Sequence, residues 1–220
     1  MVNTSVQLRH WFLSRIRLVS IIQKRIHDAA LQLFAQKQLV EVNISELAQK
    51  AGLARNTVYK NLESIESLFE SVATELAAEM NERVGSSATP GLDPAQRLSN
   101  GIRFYIRRAH EEPHWGSFLV RYSASHVSLQ ALWDGPPVRD VLEGLASQRY
   151  NFRQEQLLSV IGLIAGSVLI AINLVLQGHK TWRDAGADTA ELVLRALGVA
   201  PEEARVFATT PLPELPPLAD

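Results

Sequence analysis

The feature that most constrains the fold is the spacing of the apolar residues. They recur at intervals of three and four, which places them along one face of a helix. Between residues 22 and 36 they are Ile26, Ala29, Ala30, Leu33 and Phe34. Similar stretches follow along most of the chain, and alternating β-branched runs between turn residues are almost absent. The sequence therefore predicts an all-α protein.

Length and charge predict two units of different character. The 220 residues exceed the usual ~100–200 of one domain, and 46% of them are hydrophobic, which is enough for a sizeable core. Residues 1–60 hold nine basic and three acidic residues, whereas the remainder holds 13 and 20. We therefore expect a basic, anion-binding N-terminal unit followed by a mildly acidic body.

The absence of cysteine excludes disulfides, thiolate metal sites and cysteine nucleophiles, and it favours a reducing cytoplasm. His110 and His114 have the spacing of a helical metal pair, but Pro113 lies between them and no third ligand is suitably placed. No phosphate-binding glycine loop, nucleophile elbow or catalytic carboxylate pair is present. We expect no catalytic residue, no metal and no cofactor.

Residues 43–62 predict two short helices joined by a turn. Asn43 is placed to cap a helix that ends near Lys50, with its side chain accepting from the amide of Glu46 while Glu46 reaches back. Gly52 then supplies a left-handed turn before a two-turn helix over residues 54–62. This arrangement is typical of a helix-turn-helix, whose second helix lies in the major groove of DNA.

The second of these helices has an apolar stripe and a polar face. The stripe consists of Ala54, Val58 and Leu62. The outward side chains are of the types that contact DNA bases and phosphates, and they are Arg55, Asn56, Tyr59 and Lys60. An ordinary surface helix also turns polar residues outward, so the charge asymmetry of the chain is needed to favour DNA.

The segment from Ile26 to Phe69 resembles the DNA-binding head of the TetR (tetracycline-repressor-like) transcriptional regulators. The most specific parts are Ala51-Gly52-Leu53, then Thr57-Val58-Tyr59, then the apolar Leu62. The resemblance implies an N-terminal helix-turn-helix head and a C-terminal helical body for ligand binding and dimerisation. With Arg25 and Asn43 added, the predicted DNA-binding residues are Arg25, Asn43, Ser45, Arg55, Asn56, Thr57, Tyr59 and Lys60.

Three positions depart from the family pattern. Gln38 replaces a usual glycine, Ala54 replaces a small hydroxyl cap, and Ile65 replaces a common lysine that touches phosphate. The basic residues before the first helix, Arg9, Arg15 and Arg17 among them, can compensate as an arm along the DNA. A solvated leader is the alternative. The residues around Trp11 are too interrupted by charge for a signal peptide.

The domains predicted from the sequence are a basic extension (1–20), a helix-turn-helix domain (21–66), a ligand-binding and dimerisation domain (67–200) and a proline-rich tail (201–220). The last holds five prolines, and we expect it to be extended and poorly ordered. Within the body, helices are predicted over residues 93–109, 115–126, 136–149, 153–177 and 188–197.

Aromatic residues concentrate in one part of the body and predict a pocket for an apolar or aromatic effector. Plain core packing is the alternative. The predicted ligand-binding residues are Phe104, Trp115, Phe118, Leu119, Tyr122, His126, Trp133 and Asn173.

The segment from Leu157 to Gln177 carries no charge and fits either a buried helix or a membrane span. Its small residues, together with the last helix of the body, predict a dimer interface, as the resemblance implies. The predicted interface residues are Gly162, Ala165, Gly166, Leu169, Leu192 and Arg195. The sequence thus predicts a homodimeric, ligand-responsive repressor that binds a palindromic operator in double-stranded DNA, without a membrane partner. A membrane-anchored helical protein and a helical enzyme acting on small molecules are the alternatives.

Overall fold

The computed structural model describes residues 21–89 and 91–216, and within them every regular element is helical. The all-α prediction is therefore confirmed. Two single-turn 3-10 helices cover Leu39–Glu41 and Gln154–Gln156. The α-helices are α1 (21–36), α2 (Ile44–Ala51), α3 (Arg55–Asn61), α4 (Ile65–Ser86), α5 (Pro94–Glu111), α6 (Pro113–Tyr122), α7 (Val127–Asp134), α8 (Pro136–Ala146), α9 (Leu157–Leu176), α10 (Trp182–Ala196) and α11 (Pro201–Thr209).

The chain divides into two compact units, and the division lies within α4, after Val72. The sequence placed the start of the body at residue 67, so the two boundaries differ by less than two turns of helix. The predicted basic extension, with Arg9, Arg15 and Arg17, lies outside the described residues.

The N-terminal unit is built around the apolar stripe of α1, whose five predicted core residues are all buried. Phe34 meets the ring of Phe69 from α4 edge to face, with centroids 5.2 Å apart. The start of α4 is capped by Ser64, whose hydroxyl accepts from the amide of Ser67, while the Ser67 hydroxyl accepts from the amide of Ser64. Local caps and one aromatic pair thus define this unit.

The C-terminal unit is organised around α5, which packs against α6, α8, α9, α10 and α11. Asp93 caps α5 by accepting from the amide of Ala95, and Pro94 takes the first helical position, as the sequence predicts. Twelve of the 18 residues of α5 are buried. This helix therefore forms the core of the unit rather than one of its faces.

Several helix boundaries in the body differ from the prediction. The predicted helix over 115–126 ends at Tyr122, and α7 follows as a separate helix that the sequence did not predict. The last predicted helix begins at Trp182 instead of residue 188, because the side chain of Thr181 caps it by accepting from the amide of Asp184.

The prediction of an extended tail is wrong for residues 201–209, which form α11. Pro201 occupies the first turn, where its missing amide costs nothing, and Glu202 and Glu203 complement the helix dipole there. Ala204 and Ala208 are buried. Pro201 therefore starts a helix, and the high proline content of residues 201–220 does not by itself indicate an extended chain.

Hydrogen bonds also attach α11 to α5. The side chains of Gln96 and Ser99 both donate to the carbonyl of Phe207, at 3.2 and 3.0 Å. In the segment after α11, the carbonyl of Pro216 accepts a hydrogen bond from the side chain of Arg83 in α4. These bonds join residues more than a hundred positions apart, which explains why local sequence patterns do not show them.

Candidate DNA-binding face and effector site

Helix α3 presents polar side chains outward and is held by one apolar residue. Val58 is completely buried, whereas Tyr59 is 61% exposed. The other exposed polar residues of the helix are Arg55, Asn56 and Lys60, as predicted. The predicted apolar stripe is only partly correct, because Leu62 is half-buried and Ala54 is exposed. Val58 therefore anchors the helix by itself, and its polar face remains accessible.

The turn before α3 depends on Gly52 and on an arginine from α1. Gly52 has φ +63°, a left-handed conformation that favours glycine. Arg25 donates from Nε to the carbonyl of Ala51 at 3.0 Å and from Nη2 to the carbonyl of Gly52 at 2.8 Å. A Cβ at position 52 would lie 2.7 Å from that Nη2. Arg25 therefore stabilises the end of α2, a role that the sequence did not predict.

The start of α2 is at the opposite end of this helix. The side chain of Asn43 accepts from the amide of Glu46 at 3.0 Å, which confirms its predicted capping role. The Glu46 carboxylate pairs with Lys37, the residue that follows α1, rather than reaching back to Asn43, so the reciprocal half of the predicted capping box is wrong.

An open depression of about 610 Å³ lies between α2 and the first residue of α3. It brings together the predicted residues Asn43, Ser45 and Arg55, and Ser45 is half-buried at its wall. Thr57 is half-buried, and its carbonyl accepts from the side chain of Asn61 at 2.7 Å. Three of the predicted DNA-contact residues, Asn43, Ser45 and Arg55, thus line one open depression.

The aromatic residues of the body form a closed cluster centred on Tyr105. Its ring stacks on Trp133, with centroids 5.5 Å apart, and tilts against Trp115 at 5.9 Å. Its hydroxyl donates to the carbonyl of Leu132 at 3.3 Å, and burial raises the pKa of this hydroxyl above its ordinary value. The cluster therefore joins α5, α6 and α7 through one neutral, hydrogen-bonded tyrosine.

A second row of rings follows α6 into the next turn. Phe118 lies 5.3 Å from Tyr122, and Tyr122 lies 5.4 Å from His126, all centroid to centroid. Phe104 and Leu119 are buried as well. Asn173 lies on α9, where its side-chain carbonyl accepts from the side chain of Gln177. The structure therefore brings most of the predicted ligand-binding residues into one region and gives Asn173 a local partner.

One feature of this region suits ligand binding and another opposes it. The indole Nε1 of Trp115 and the hydroxyl of Ser123 are buried, and neither has a hydrogen-bond partner among the described residues. A cavity of about 20 Å³ lies beside Tyr105 and Trp133, with walls from α4, α5, α8 and α9. A space of this size holds about one water molecule, so an organic ligand enters only if the helices separate.

Helix α9 buries one face in the body and exposes another that is also apolar. Leu158 is 86% exposed and Ile170 is 62% exposed. Gly162 and Gly166 lie on the same exposed face, and a Cβ built on either would meet nothing within 4 Å. On α10, Leu192 and Arg195 are exposed, while Ala165 and Leu169 of α9 are half-buried. All six predicted interface residues are therefore accessible.

Two family models match this chain. The model for bacterial regulatory proteins of the tetR family matches residues 26–72, and the model for the tetracyclin repressor-like C-terminal domain matches residues 93–210, which is more than half of the chain. The chain belongs to the TetR family of transcriptional regulators. The resemblance seen in the head is thereby extended to the body.

The chain is also similar to individual proteins. An uncharacterized HTH-type transcriptional regulator of Mycobacterium tuberculosis is 27% identical over 97 residues, which cover 44% of this chain and 48% of the relative. The chain thus spans about half the length of the curated relatives it matches. RolR, solved in complex with resorcinol, is 26% identical with a TM-score of 0.68, over 91% of this chain and all of RolR.

A TetR-like transcriptional regulator from Rhodococcus sp. RHA1 shares the fold. Its TM-score is 0.64 at 18% identity, over 80% of this chain and 95% of that one.

The structure explains one of the departures from the TetR pattern. Gln38 has φ −69°, so this turn does not need the usual glycine. Ala54 occupies the cap of α3 without a side-chain hydrogen bond, and Ile65 is half-buried at the start of α4. Ala54 therefore does not supply the hydroxyl cap that is usual at the start of α3, and Ile65 does not supply the usual lysine at the start of α4.

Among the described residues one helix, Gln154–Leu176, is long and apolar enough to cross a membrane. About a third of the residues in the most apolar part of this helix are buried, and the helix lies within the matched C-terminal domain. Membrane anchoring is therefore not the favoured explanation of this sequence.

Proposed function

We propose that this protein is a homodimeric transcriptional repressor of the cytoplasm that binds a palindromic DNA operator and releases it when an apolar or aromatic small molecule enters the body. The observation that carries the proposal is the accessible polar face of α3, anchored by the buried Val58. No catalytic or cofactor role is part of it.

The exposed side chains of α3 match distinct parts of a DNA site. Asn56 can bridge an adenine edge and Arg55 a guanine edge, so these two residues are assigned to base reading. Thr57, Tyr59 and Lys60, with Ser45 of α2, are assigned to the phosphate backbone. Asn43 and Arg25 support this surface by capping the two ends of α2.

Dimerisation is proposed through the exposed face of α9 together with α10. Each glycine inside a helix costs about 1 kcal/mol relative to alanine. Packing within residues 21–89 and 91–216 does not require Gly162 or Gly166, since a Cβ at either would lie more than 4 Å from every neighbour there. A second copy of the chain supplies the reason for both, because small residues let two helix backbones approach closely.

The effector site is proposed at the aromatic cluster around Tyr105, Trp115 and Trp133. The Nε1 of Trp115, which has no partner among the described residues, offers a hydrogen-bond donor there. The resorcinol complex of RolR supports an aromatic effector of about the size of resorcinol. The cavity of about 20 Å³ is too small for such a molecule, so the ligand must bind an opened arrangement of the helices better than the closed one.

A separation of the helices around the effector can be transmitted to the DNA-binding head through α4. Val84 lines the small cavity, and Asn81 donates to the carbonyl of Ala131 in α7. The same helix contributes Phe69 to the core of the N-terminal unit. The two recognition helices of a dimer must fit major grooves roughly 34–36 Å apart. A ligand that displaces α4 changes this spacing and lowers the affinity for DNA.

Selection and sequencing of DNA bound by the purified protein tests the proposal. We expect enrichment of one twofold-symmetric sequence, to which fluorescence anisotropy then shows tight, salt-dependent binding. A panel of hydroxylated aromatic compounds, resorcinol included, is added next. Release by one of them supports the proposed effector class. Failure to enrich any sequence contradicts the DNA-binding function.

A further inference from the structure

A second and larger opening lies elsewhere in the C-terminal unit. It is an open cleft of about 760 Å³ between the second half of α5, the start of α10 and the residues around the end of α11. Its volume lies within the ~300–1,000 Å³ of small-molecule sites. The charged and aromatic lining residues are Arg103, Arg107, His110, Glu111, Trp182, Arg183 and Asp184.

Arg103 has an unusual environment for an arginine. Only 9% of it is exposed, and its buried Nη1 has no hydrogen-bond partner among the described residues. Burial lowers the pKa of its guanidinium, since no neighbouring carboxylate offsets the loss of water. An unpaired buried cation is costly in a folded protein. Arg103 therefore suggests a counter-ion that the described part of the chain does not provide.

Two other arginines of α5, the half-buried Arg97 and the buried Arg108, show the usual arrangement. Arg97 pairs with Asp140 and Glu143, and Arg108 pairs with Glu79 and Glu112. Each of these guanidiniums thus has two carboxylate partners. Arg103 has none among the described residues, although it lies on the same helix.

The opposite wall of the cleft adds a second cation and an aromatic surface. Arg183 lies 4.4 Å from the ring centroid of Trp182 and Arg107 lies 5.6 Å from it. Arg107 pairs with Glu111, whereas residues 21–89 and 91–216 provide no carboxylate partner for Arg183. A guanidinium over an aromatic face keeps its edge free for a carboxylate or phosphate.

We propose that this cleft binds a small organic anion. Its carboxylate or phosphate group pairs with Arg103 and Arg183, and its apolar part lies on Trp182, Pro211 and Leu212. The lining of this cleft includes none of the rings of the aromatic cluster, Tyr105, Trp115 and Trp133. The protein would then have an anion-binding site in addition to its proposed effector site.

Titration calorimetry of the DNA-free protein at low salt tests this inference with two probes, phenyl phosphate and benzoate, and with the neutral benzyl alcohol for comparison. We expect saturable binding of at least one anion and none of the alcohol. Arg183→Gln should weaken anion binding roughly tenfold, because it removes one charged hydrogen-bond donor. Arg205→Gln, which removes the same charge from an exposed position of α11 outside the cleft, should leave it unchanged.

A variant of the buried Arg103 gives a second test, which does not depend on the exposed Arg183. The bound anion should raise the melting temperature of the wild-type protein, because it binds only the folded state. Arg103→Met should abolish this rise, while its own melting temperature without anion should be no lower than that of the wild type. Binding of only one of the two anions supports the proposal and identifies the preferred head group.

The proposal is overturned if neither anion binds saturably, or if Arg183→Gln and Arg205→Gln weaken binding equally. It is also overturned if Arg103→Met keeps the full rise in melting temperature, since the anion would then bind elsewhere, such as at the cations of the N-terminal unit.

Discussion

The two units of this protein leave different kinds of helix surface exposed. In the N-terminal unit, α3 exposes Arg55, Asn56, Tyr59 and Lys60 around the single buried Val58. In the C-terminal unit, α9 exposes Leu158, Ile170 and two glycines that no described neighbour requires. Packing among the described residues explains neither surface.

The difference between these surfaces indicates two different partners. A polar, partly cationic helix face loses little by staying in water and gains by meeting phosphates and base edges. An apolar face with small residues gains most from burial against another apolar helix. We therefore assign the first surface to DNA and the second to another copy of the chain, and the variants below test each assignment separately.

The largest effect is expected from Gly166→Asp on α9. In a dimer this carboxylate would be buried without a partner, at a cost of several kcal/mol. The variant should be monomeric in sedimentation experiments, and its operator affinity should collapse although α3 is unchanged.

Gly85→Asp is the matched control, since a Cβ at this position of α4 also meets no neighbour. It should remain dimeric and bind DNA. A Gly166→Asp protein that stays dimeric and binds normally would place the interface elsewhere.

Removal of residues 201–220 should destabilise the C-terminal unit. The truncation exposes the surface that covers Ala204 and Ala208, and it leaves Gln96 and Ser99 without their acceptor at Phe207. We expect a loss of roughly 3 kcal/mol or more in the free energy of unfolding. Thermal denaturation measures it, and an unchanged melting temperature would show that α11 contributes little.

Substitutions on α3 should separate base reading from phosphate binding. Asn56→Ala and Arg55→Ala should reduce the preference for the operator over random DNA by about 1–3 kcal/mol each. Lys60→Ala should instead weaken both kinds of DNA alike and lower the log–log salt slope by about 0.9 for each phosphate that is no longer neutralised. Competition binding at several salt concentrations distinguishes the two. Equal weakening by Asn56→Ala on both DNAs would contradict its base-reading role.

The smallest effect is expected from Arg25→Gln. The variant removes two hydrogen bonds to the end of α2, which should lower the free energy of unfolding by about 1–2 kcal/mol. Lys24→Gln, at the neighbouring exposed position, is the control for charge. If the two variants melt alike, Arg25 does not stabilise the turn and its contribution is to DNA contact alone.

The head could be predicted from the sequence because its determinants are local. The stripe of α1, the Asn43 cap and the left-handed Gly52 all lie within a few residues of the structure they specify. The TetR resemblance rested on the same segment, and the family matches confirm it. The predicted basic extension, residues 1–20, lies outside the described part of the chain.

The body was harder to predict because its determinants are distant in sequence. Helix α7 has only eight residues and is held by the burial of Leu129 and Leu132. Helix α11 begins with a proline, which resembles a disordered tail until its contacts with α5 are known. The burial of Arg103 without a carboxylate among the described residues has no sequence pattern at all. One contact of the head, between Arg25 and Ala51, is also distant in sequence and was not predicted either.

The most direct test of the account compares a whole operator with a single half-site. Analytical ultracentrifugation gives the number of protomers on each DNA, and anisotropy gives the affinity. The account predicts two protomers on the palindrome and a large loss of affinity on the half-site, because α3 reads one half and the α9 surface joins the two copies. One protomer bound with equal affinity to both DNAs would contradict it.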